Sequence, residues 1–166
     1  MHNSYLAIKD YFHKLCEKSN HIQGFAGFFS RELKSLESSY KGIESPFLAL
    51  FEYELGLEGP EMNTKAVRKL GFAIMYNQVA ADDFEAQYSA IDKAEKIALK
   101  VIARMHYDNN TKGHLLYNSL MKDSVEIRPV ELSSSDFGVE VTLSLKNSQA
   151  LEIKECDWKD IKTACK

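Results

Sequence analysis

The strongest periodic signal in the chain lies in residues 81–107, which read ADDFEAQYSAIDKAEKIALKVIARMHY. Apolar residues recur there at steps of three and four, the spacing that places side chains on one face of an α-helix. Asp82 and Glu85 match a capping box at the start, where acidic side chains also suit the positive end of the helix dipole. The segment is therefore predicted to be a long amphipathic helix that covers a sheet. Its apolar stripe is expected to contain Phe84, Tyr88, Ile91, Ala94, Ala98, Val101, Ile102 and Met105.

The size and charge of the chain indicate an ordinary globular protein. Its 166 residues suit one domain with a proper core, and 45% of them are hydrophobic and 27% charged. The formal net charge is -3, from 21 basic and 24 acidic residues, and no run of basic residues occurs. A nucleic-acid-binding surface usually needs a clear basic excess. We therefore expect no nucleic-acid partner.

Three cysteines occur in the chain, Cys16, Cys156 and Cys165. A small and odd number argues against a disulfide framework and indicates a reducing compartment. Residues 1–15 lack the basic and apolar regions of a secretory signal, and no apolar run approaches the roughly 20 residues that span a bilayer. We therefore expect a cytoplasmic protein with no membrane partner. The roles of Cys156 and Cys165 stay open.

The N-terminal part of the chain is predicted to be mainly helical. The spacing of apolar residues predicts a first helix over residues 3–18, and Ser30 is a suitable N-cap for a short second helix over residues 31–40. Residues 22–29 lie between the two helices and contain two glycines. Because glycine weakens strand signals, this segment could be a short strand or a buried approach to the next helix.

Two hairpins are predicted, one on each side of the long helix. In the first, residues 47–55 are apolar on both faces at their start and become polar on one face. They are expected to pair antiparallel with residues 64–79 across a tip at residues 56–63. The second hairpin spans residues 124–146 and ends in strict alternation of apolar and polar residues. Pro129 restricts its first strand to an edge or a bulge.

Two segments close to the second hairpin are less regular. Residues 114–121 suit a helical turn slightly better than a strand, and both interpretations remain open. Leu151 and Ile153 could add a short edge strand. The residues that follow are expected to form a peripheral tail.

These elements together predict an α+β fold. The economical arrangement is a mostly antiparallel sheet of four or five strands from two hairpins, with the long helix packed on one face and an N-terminal helix. A single domain is expected over residues 1–166, with an N-terminal helical region at 1–44, a sheet-and-helix core at 45–146 and a peripheral tail at 147–166. Residues expected to be buried and mutually close are Val139, Val141, Leu143, Leu145, Ile91, Ala98 and Ile102.

Histidine and cysteine side chains are the candidate metal ligands and nucleophiles of the chain. His106 and His114 flank a loop and could meet around a metal, but no acidic or thiol partner follows at ligand spacing. Polar surface near a helix end, where a cationic histidine is mildly favoured, is the preferred interpretation. Cys156 as a nucleophile would need a base, and no residue is indicated for that role.

Two pairs of carboxylates were considered in the same way. Glu52 and Glu54 are two apart on a strand and so share a face, where they could act as acid and base or pair with cross-strand lysines such as Lys65 or Lys69. The preferred interpretation is that they are either solvated or paired with such lysines. Asp82 and Asp83, just before the long helix, resemble a pair of metal ligands, but they are better explained as the N-terminal cap of that helix.

Sequence motifs of common enzymes are absent. The chain contains no GxGxxG, GxxxxGK[ST], GxSxG, HExxH or HxE…CxxC pattern. We therefore predict no catalytic residues, no cofactor-binding residues and no metal ligands, and we expect that the protein is not an enzyme.

The layout of residues 45–146 resembles the tail terminator, or tail completion, proteins of tailed bacteriophages and related phage-derived elements. The stretches that carry the resemblance are PFLALFEYEL with LGFAIMYNQV, then DDFEAQYSAIDKAEKIALKVIARM, then SVEIRPVELSSSDFGVEVTLSL. The extra helix at residues 30–40 and the tail after residue 146 depart from the simplest version of that layout.

The resemblance implies a structural role and no chemistry. Members of that family form a ring, usually a hexamer, that caps the tail tube and meets the head connector. The implied partners are therefore further copies of this chain, tail-tube proteins and connector proteins, and the implied location is the cytoplasm and then the virion or phage-like particle. The family has no invariant chemical motif, so no functional residue is transferred.

Two other functions remain open beside the ring subunit. The chain could be a small non-enzymatic binding or regulatory module, or an enzyme whose site is assembled from scattered residues. An open sheet surface and edge would favour the first two functions, because such edges add partner strands. A deep pocket with residues of perturbed pKa would favour an enzyme.

Overall fold

A five-stranded mixed sheet organises the computed structural model, which describes residues 4–28, 30–37, 42–60, 63–153 and 155–160. The helices are α1 (Tyr5–Glu17), α2 (Ser30–Glu37) and α3 (Phe84–Asn110), with a short 3-10 turn at Glu155–Asp157. The strands are β1 (Gly24–Ala26), β2 (Phe47–Glu58), β3 (Lys65–Tyr76), β4 (Leu120–Ser133) and β5 (Asp136–Ser148). The predicted α+β class is confirmed.

The strands lie in the order β1-β2-β3-β5-β4. All neighbouring pairs are antiparallel except β1 and β2, which run parallel through Gly24–Ala26. The predicted mostly antiparallel sheet is thus confirmed, and the open alternative at residues 22–29 resolves to a short parallel strand. Its position means that the sheet also includes residues from before residue 45.

The helices α1 and α3 pack together on one face of the sheet. Strand side chains alternate between faces, so every second residue of β2, β3 and β5 points toward these helices. The resulting core cluster contains Ile8 and Phe12 of α1 together with Leu48, Phe72, Val141 and Ala98. The expected core is confirmed for Val139, Val141, Leu143, Leu145 and Ala98, which are buried in this cluster. Ile91 and Ile102 were also expected to be buried, but they are only half-buried and pack against the cluster.

The buried stripe of α3 differs from the expected one at the helix start. Ala90, Ala94, Ile97, Ala98, Val101 and Met105 are buried, whereas Phe84 and Tyr88 are 67% and 66% exposed. These two aromatic side chains lie beside Pro129 and Phe137 at the end of the sheet. The periodicity continues through the first turns of α3, but too little sheet lies there to cover two large rings.

Local side-chain hydrogen bonds cap the N-terminal ends of α1 and α3. The Asp83 carboxylate accepts from the Ala86 N–H at 2.9 Å, so Asp83 is the N-cap of α3. The predicted capping box of Asp82 with Glu85 is therefore wrong by one residue. The Ser4 hydroxyl accepts from the Ala7 N–H at 3.2 Å at the start of α1. Such caps satisfy N–H groups that the first helical turn leaves without partners.

The segments left open by the sequence have definite structures. Residues 114–119 form turns, and β4 begins at Leu120, earlier than expected. Pro129 lies in this strand at the sheet edge, as predicted. The expected edge strand at Leu151 and Ile153 is wrong: both residues are exposed and outside any strand. Residues 38–40 of the predicted second helix, and Cys165, lie outside the described residues.

Candidate functional site

The two histidines considered as metal ligands have separate partners. His106 is exposed and its ring nitrogen lies 3.3 Å from the Asn110 amide on the same helix. His114 accepts a hydrogen bond from the Leu116 N–H through Nδ1, so a neutral imidazole carries its hydrogen on Nε2. Within the described part of the chain, no group of three or more His, Cys, Asp or Glu side chains is placed to hold a metal ion.

The carboxylates considered on β2 are placed as surface groups. Glu54 lies 3.5 Å from the Lys69 ammonium across the β2–β3 ladder, which is the ion pair expected from the sequence. Glu52 stands opposite Gly71 after a bulge at Phe51. Both members of the Glu54–Lys69 pair are mainly exposed, so it contributes little to stability.

A buried carboxylate that the sequence reasoning missed lies between α1 and α3. Asp108 is 3% exposed and accepts from the Tyr11 hydroxyl at 2.9 Å. The Arg104 Nε donates to both of its oxygens, at 3.1 and 3.0 Å. His114 Nε2 lies 3.9 Å from Asp108 Oδ1. The carboxylate therefore joins α1, α3 and the loop after α3.

This cluster changes the chemistry of its tyrosine. Burial, reinforced by the negative charge of Asp108, raises the pKa of the Tyr11 hydroxyl well above its ordinary value. Tyr11 is thus a hydrogen-bond donor at neutral pH and not a general base. The arrangement can position side chains and neutralise a charge, but it presents no nucleophile to a substrate.

A signal for Asp108 was present in the sequence. The buried line of α3 runs through Ala94, Ala98, Val101 and Met105, and three more residues lead to Asp108. A carboxylate in line with an apolar stripe needs a partner when it is buried. Arg104, four residues earlier, was the local partner to test. The contact with Tyr11 could not be read from local spacing.

The outer strands leave two long edges of the sheet open. β1 pairs only with Phe47, Leu48 and Ala49, so no described strand pairs with β2 along residues 50–58 on that side. On the opposite side, β4 is the last strand of the sheet over 14 residues. Unpaired N–H and C=O groups along an edge are templates for a strand of another chain.

Apolar side chains accompany both open edges. Leu55 and Leu57 on β2 are 50% and 53% exposed, and Leu132 on β4 is similarly exposed. Pro129 and charged residues of β4 limit indiscriminate pairing at its edge. The two edges therefore carry both the backbone groups and the apolar area of a specific contact.

The face of the sheet opposite α1 and α3 contains a shallow apolar groove. It has a volume of about 330 Å³ and lies where Ala49, Ala73 and Met75 meet Val130 and Leu132. The Phe51 ring lies across Gly71. A Cβ atom added at Gly71 by substitution would lie 2.5 Å from this ring. Glycine at this position therefore allows the ring to lie flat on the sheet.

No helix in the described residues is long and apolar enough to cross a membrane. No family model, no curated protein and no solved structure matches the chain. Functional inference therefore depends on the geometry and chemistry of the chain itself.

Proposed function

We propose that this chain is a structural subunit of a phage or prophage-derived particle, similar to a tail terminator that forms a ring at the end of the tail tube. The observation that carries the proposal is the pair of open edges on opposite sides of one sheet. In this proposal the β2–β3 and β4–β5 pairs are the two hairpins of that layout. The subunit is not an enzyme, and it is cytoplasmic until it joins the particle.

Open edges on opposite sides suit head-to-tail contact between identical subunits. The β4 edge of one copy and the residue 50–58 edge of the next are different surfaces, so their contact is heterologous. Heterologous contacts generate a ring when the rotation between neighbours closes. The contact would cover Leu132 on one side and Leu55 and Leu57 on the other, all of which are exposed in the single chain.

The charges of the chain are compatible with protein partners. The formal net charge is -3, and the open face of the sheet carries cross-strand ion pairs, including Arg128 with Glu140 at 3.0 Å. Such pairs neutralise the surface locally and leave apolar positions to provide contact area. Side-by-side subunits and a protein tube are partners of this kind.

The test combines the chain with a polymerised tail tube encoded in the same element. Electron microscopy should find the chain at tube ends only, and added tube subunits should no longer extend those ends. A monomer in dilute solution is compatible with the proposal, because the tube can template the ring. Binding along the tube sides would favour a general binding module, and no binding up to tens of micromolar, where weak specific contacts still register, would remove the ring proposal.

A matched pair of variants links the result to the edge. Leu55→Glu with Leu57→Glu places charges at the open β2 edge and should abolish capping of the tube. Leu99→Glu changes a side chain on α3 that is also 50% exposed, and it should leave capping intact. Equal loss in both variants would show that the β2 edge is not the contact.

A further inference from the structure

A basic cleft lies between α1 and α3, away from the open edges of the sheet. It has a volume of about 280 Å³, and its lining includes the basic side chains of Lys14, Lys18, Lys100 and Arg104 and the imidazoles of His21 and His114. Lys14 and Lys18 follow Tyr11 on one stripe of α1, and Lys100 and Arg104 precede Asp108 on one stripe of α3. The two stripes face each other, so cations from distant parts of the sequence converge.

The charges in this cleft do not cancel. Arg104 and Asp108 neutralise each other through two hydrogen bonds. Lys14, Lys18 and Lys100 have no carboxylate partner among the described residues. Three positive charges thus remain in a chain whose formal net charge is -3.

Favourable interaction with a helix dipole accounts for only some of the lysines in this cleft. Lys14 and Lys18 lie at the C-terminal end of α1, where the helix dipole favours cations. Lys100 lies within α3, four residues after Lys96 and four before Arg104, and like charges at that spacing repel. Its ammonium is held 2.9 Å from His21 Nε2, at the rim of the cleft. Lys96 and Arg104 are each paired with an aspartate, so the repulsion on Lys100 is modest, and an anion bound beside Lys100 would relieve it.

The floor of the cleft strengthens this electrostatic field. Leu15, Ile97 and Val101 line the cleft beneath the cationic groups and are buried. Charges over an apolar floor interact more strongly with an anion than charges in bulk water. The volume of about 280 Å³ lies just below the range of about 300–1,000 Å³ for ligand pockets, which indicates a small ligand.

We propose that the α1–α3 cleft binds a small anion that carries one or more phosphate groups, independently of assembly into a ring. Ammonium groups converging from two helices suit the several oxygens and multiple charge of a phosphate better than the two coplanar oxygens of one carboxylate. Arg104 keeps its position through Asp108, so its remaining N–H groups are available to the same ligand.

The test titrates the full chain with inorganic pyrophosphate at constant ionic strength and follows binding by calorimetry. The Lys14→Gln/Lys100→Gln variant should bind at least about tenfold more weakly, because charge-assisted hydrogen bonds from both helices are lost. The control is Lys9→Gln/Lys93→Gln, which removes one charge from each of the same helices outside the cleft lining and should retain the wild-type affinity. If the first variant fails to fold, Lys18→Gln replaces it, with a weaker but still selective loss.

Each result decides the proposal. Selective loss in the cleft variant supports it. Equal weakening in both double variants would show general electrostatic attraction and overturn the cleft assignment, as would the absence of binding up to about 10 mM. Citrate binding as tightly as pyrophosphate would overturn the phosphate assignment. None of these measurements involves tail tubes, so the outcome is separate from that of the ring proposal.

Discussion

The two faces of the sheet differ in how much of their apolar surface is covered. The face toward α1 and α3 carries large apolar groups such as Leu48, Phe72 and Val141, all fully buried. The opposite face carries a smaller buried cluster that includes Phe47 and Met75, then Ala49 and Ala73 around an open groove, and ion pairs farther along the strands. Burial of apolar area is the main favourable term in folding. The comparison indicates that the face toward the helices holds most of the core, while the groove and the charged strand ends of the other face are available for contacts.

The largest expected effect compares two phenylalanines on the two faces. Phe72 on β3 is fully buried, and Phe72→Ala should lower the free energy of unfolding by about 3–5 kcal/mol, from lost transfer energy and a residual cavity. Phe51 on β2 is 45% exposed on the open face, and Phe51→Ala should cost about 1 kcal/mol or less. Urea denaturation measures both values. Equal costs would mean that the open face contributes to stability as much as the covered one.

A smaller effect is expected within the layer of helices that covers the sheet. Asp108→Ala should lower the free energy of unfolding by about 1–3 kcal/mol, because the buried Tyr11 hydroxyl loses its acceptor. Asp92, on the exposed side of α3, pairs with Lys96 at 2.6 Å, and Asp92→Ala should cost less than about 0.5 kcal/mol. Thermal unfolding of the two variants under one condition tests the difference. A neutral Asp108→Ala would show that the contact between α1 and α3 rests on apolar packing alone.

The smallest effect concerns alkaline pH and α1. Burial, reinforced by the charge of Glu17, raises the pKa of the Cys16 thiol from 9.0 to about 12. The unfolded chain therefore loses this proton first, so the stabilising contribution is complete below pH 9 and is lost as the pH rises from 9 toward 12. From pH 9 to 10 the loss should be about 1 kcal/mol. Cys16→Ala should remove that part of the pH dependence, and an unchanged slope would show that Cys16 is not desolvated.

The sequence by itself determined the local elements. Apolar periodicity predicted α1, α3 and the alternating strand β5, and the expected core residues of β5 are buried in the observed core. Pro129 was correctly restricted to an edge because a residue without an N–H cannot complete an interior ladder. These inferences succeeded because they depend on residues that are close in sequence.

The tertiary structure alone decided how those elements meet. The exposure of Phe84 and Tyr88 depends on where the sheet ends beneath α3, which no periodicity reports. The parallel pairing of Gly24 with Phe47 and the hydrogen bond from Tyr11 to Asp108, 97 residues away, depend on the packing of α1. Contacts between distant residues form only after loop closure, and the packing of the whole core determines which of these contacts form. The open edge of β2 and the basic cleft arise from such contacts, so these two candidate sites could not be located from the sequence, whereas Pro129 already indicated the edge at β4.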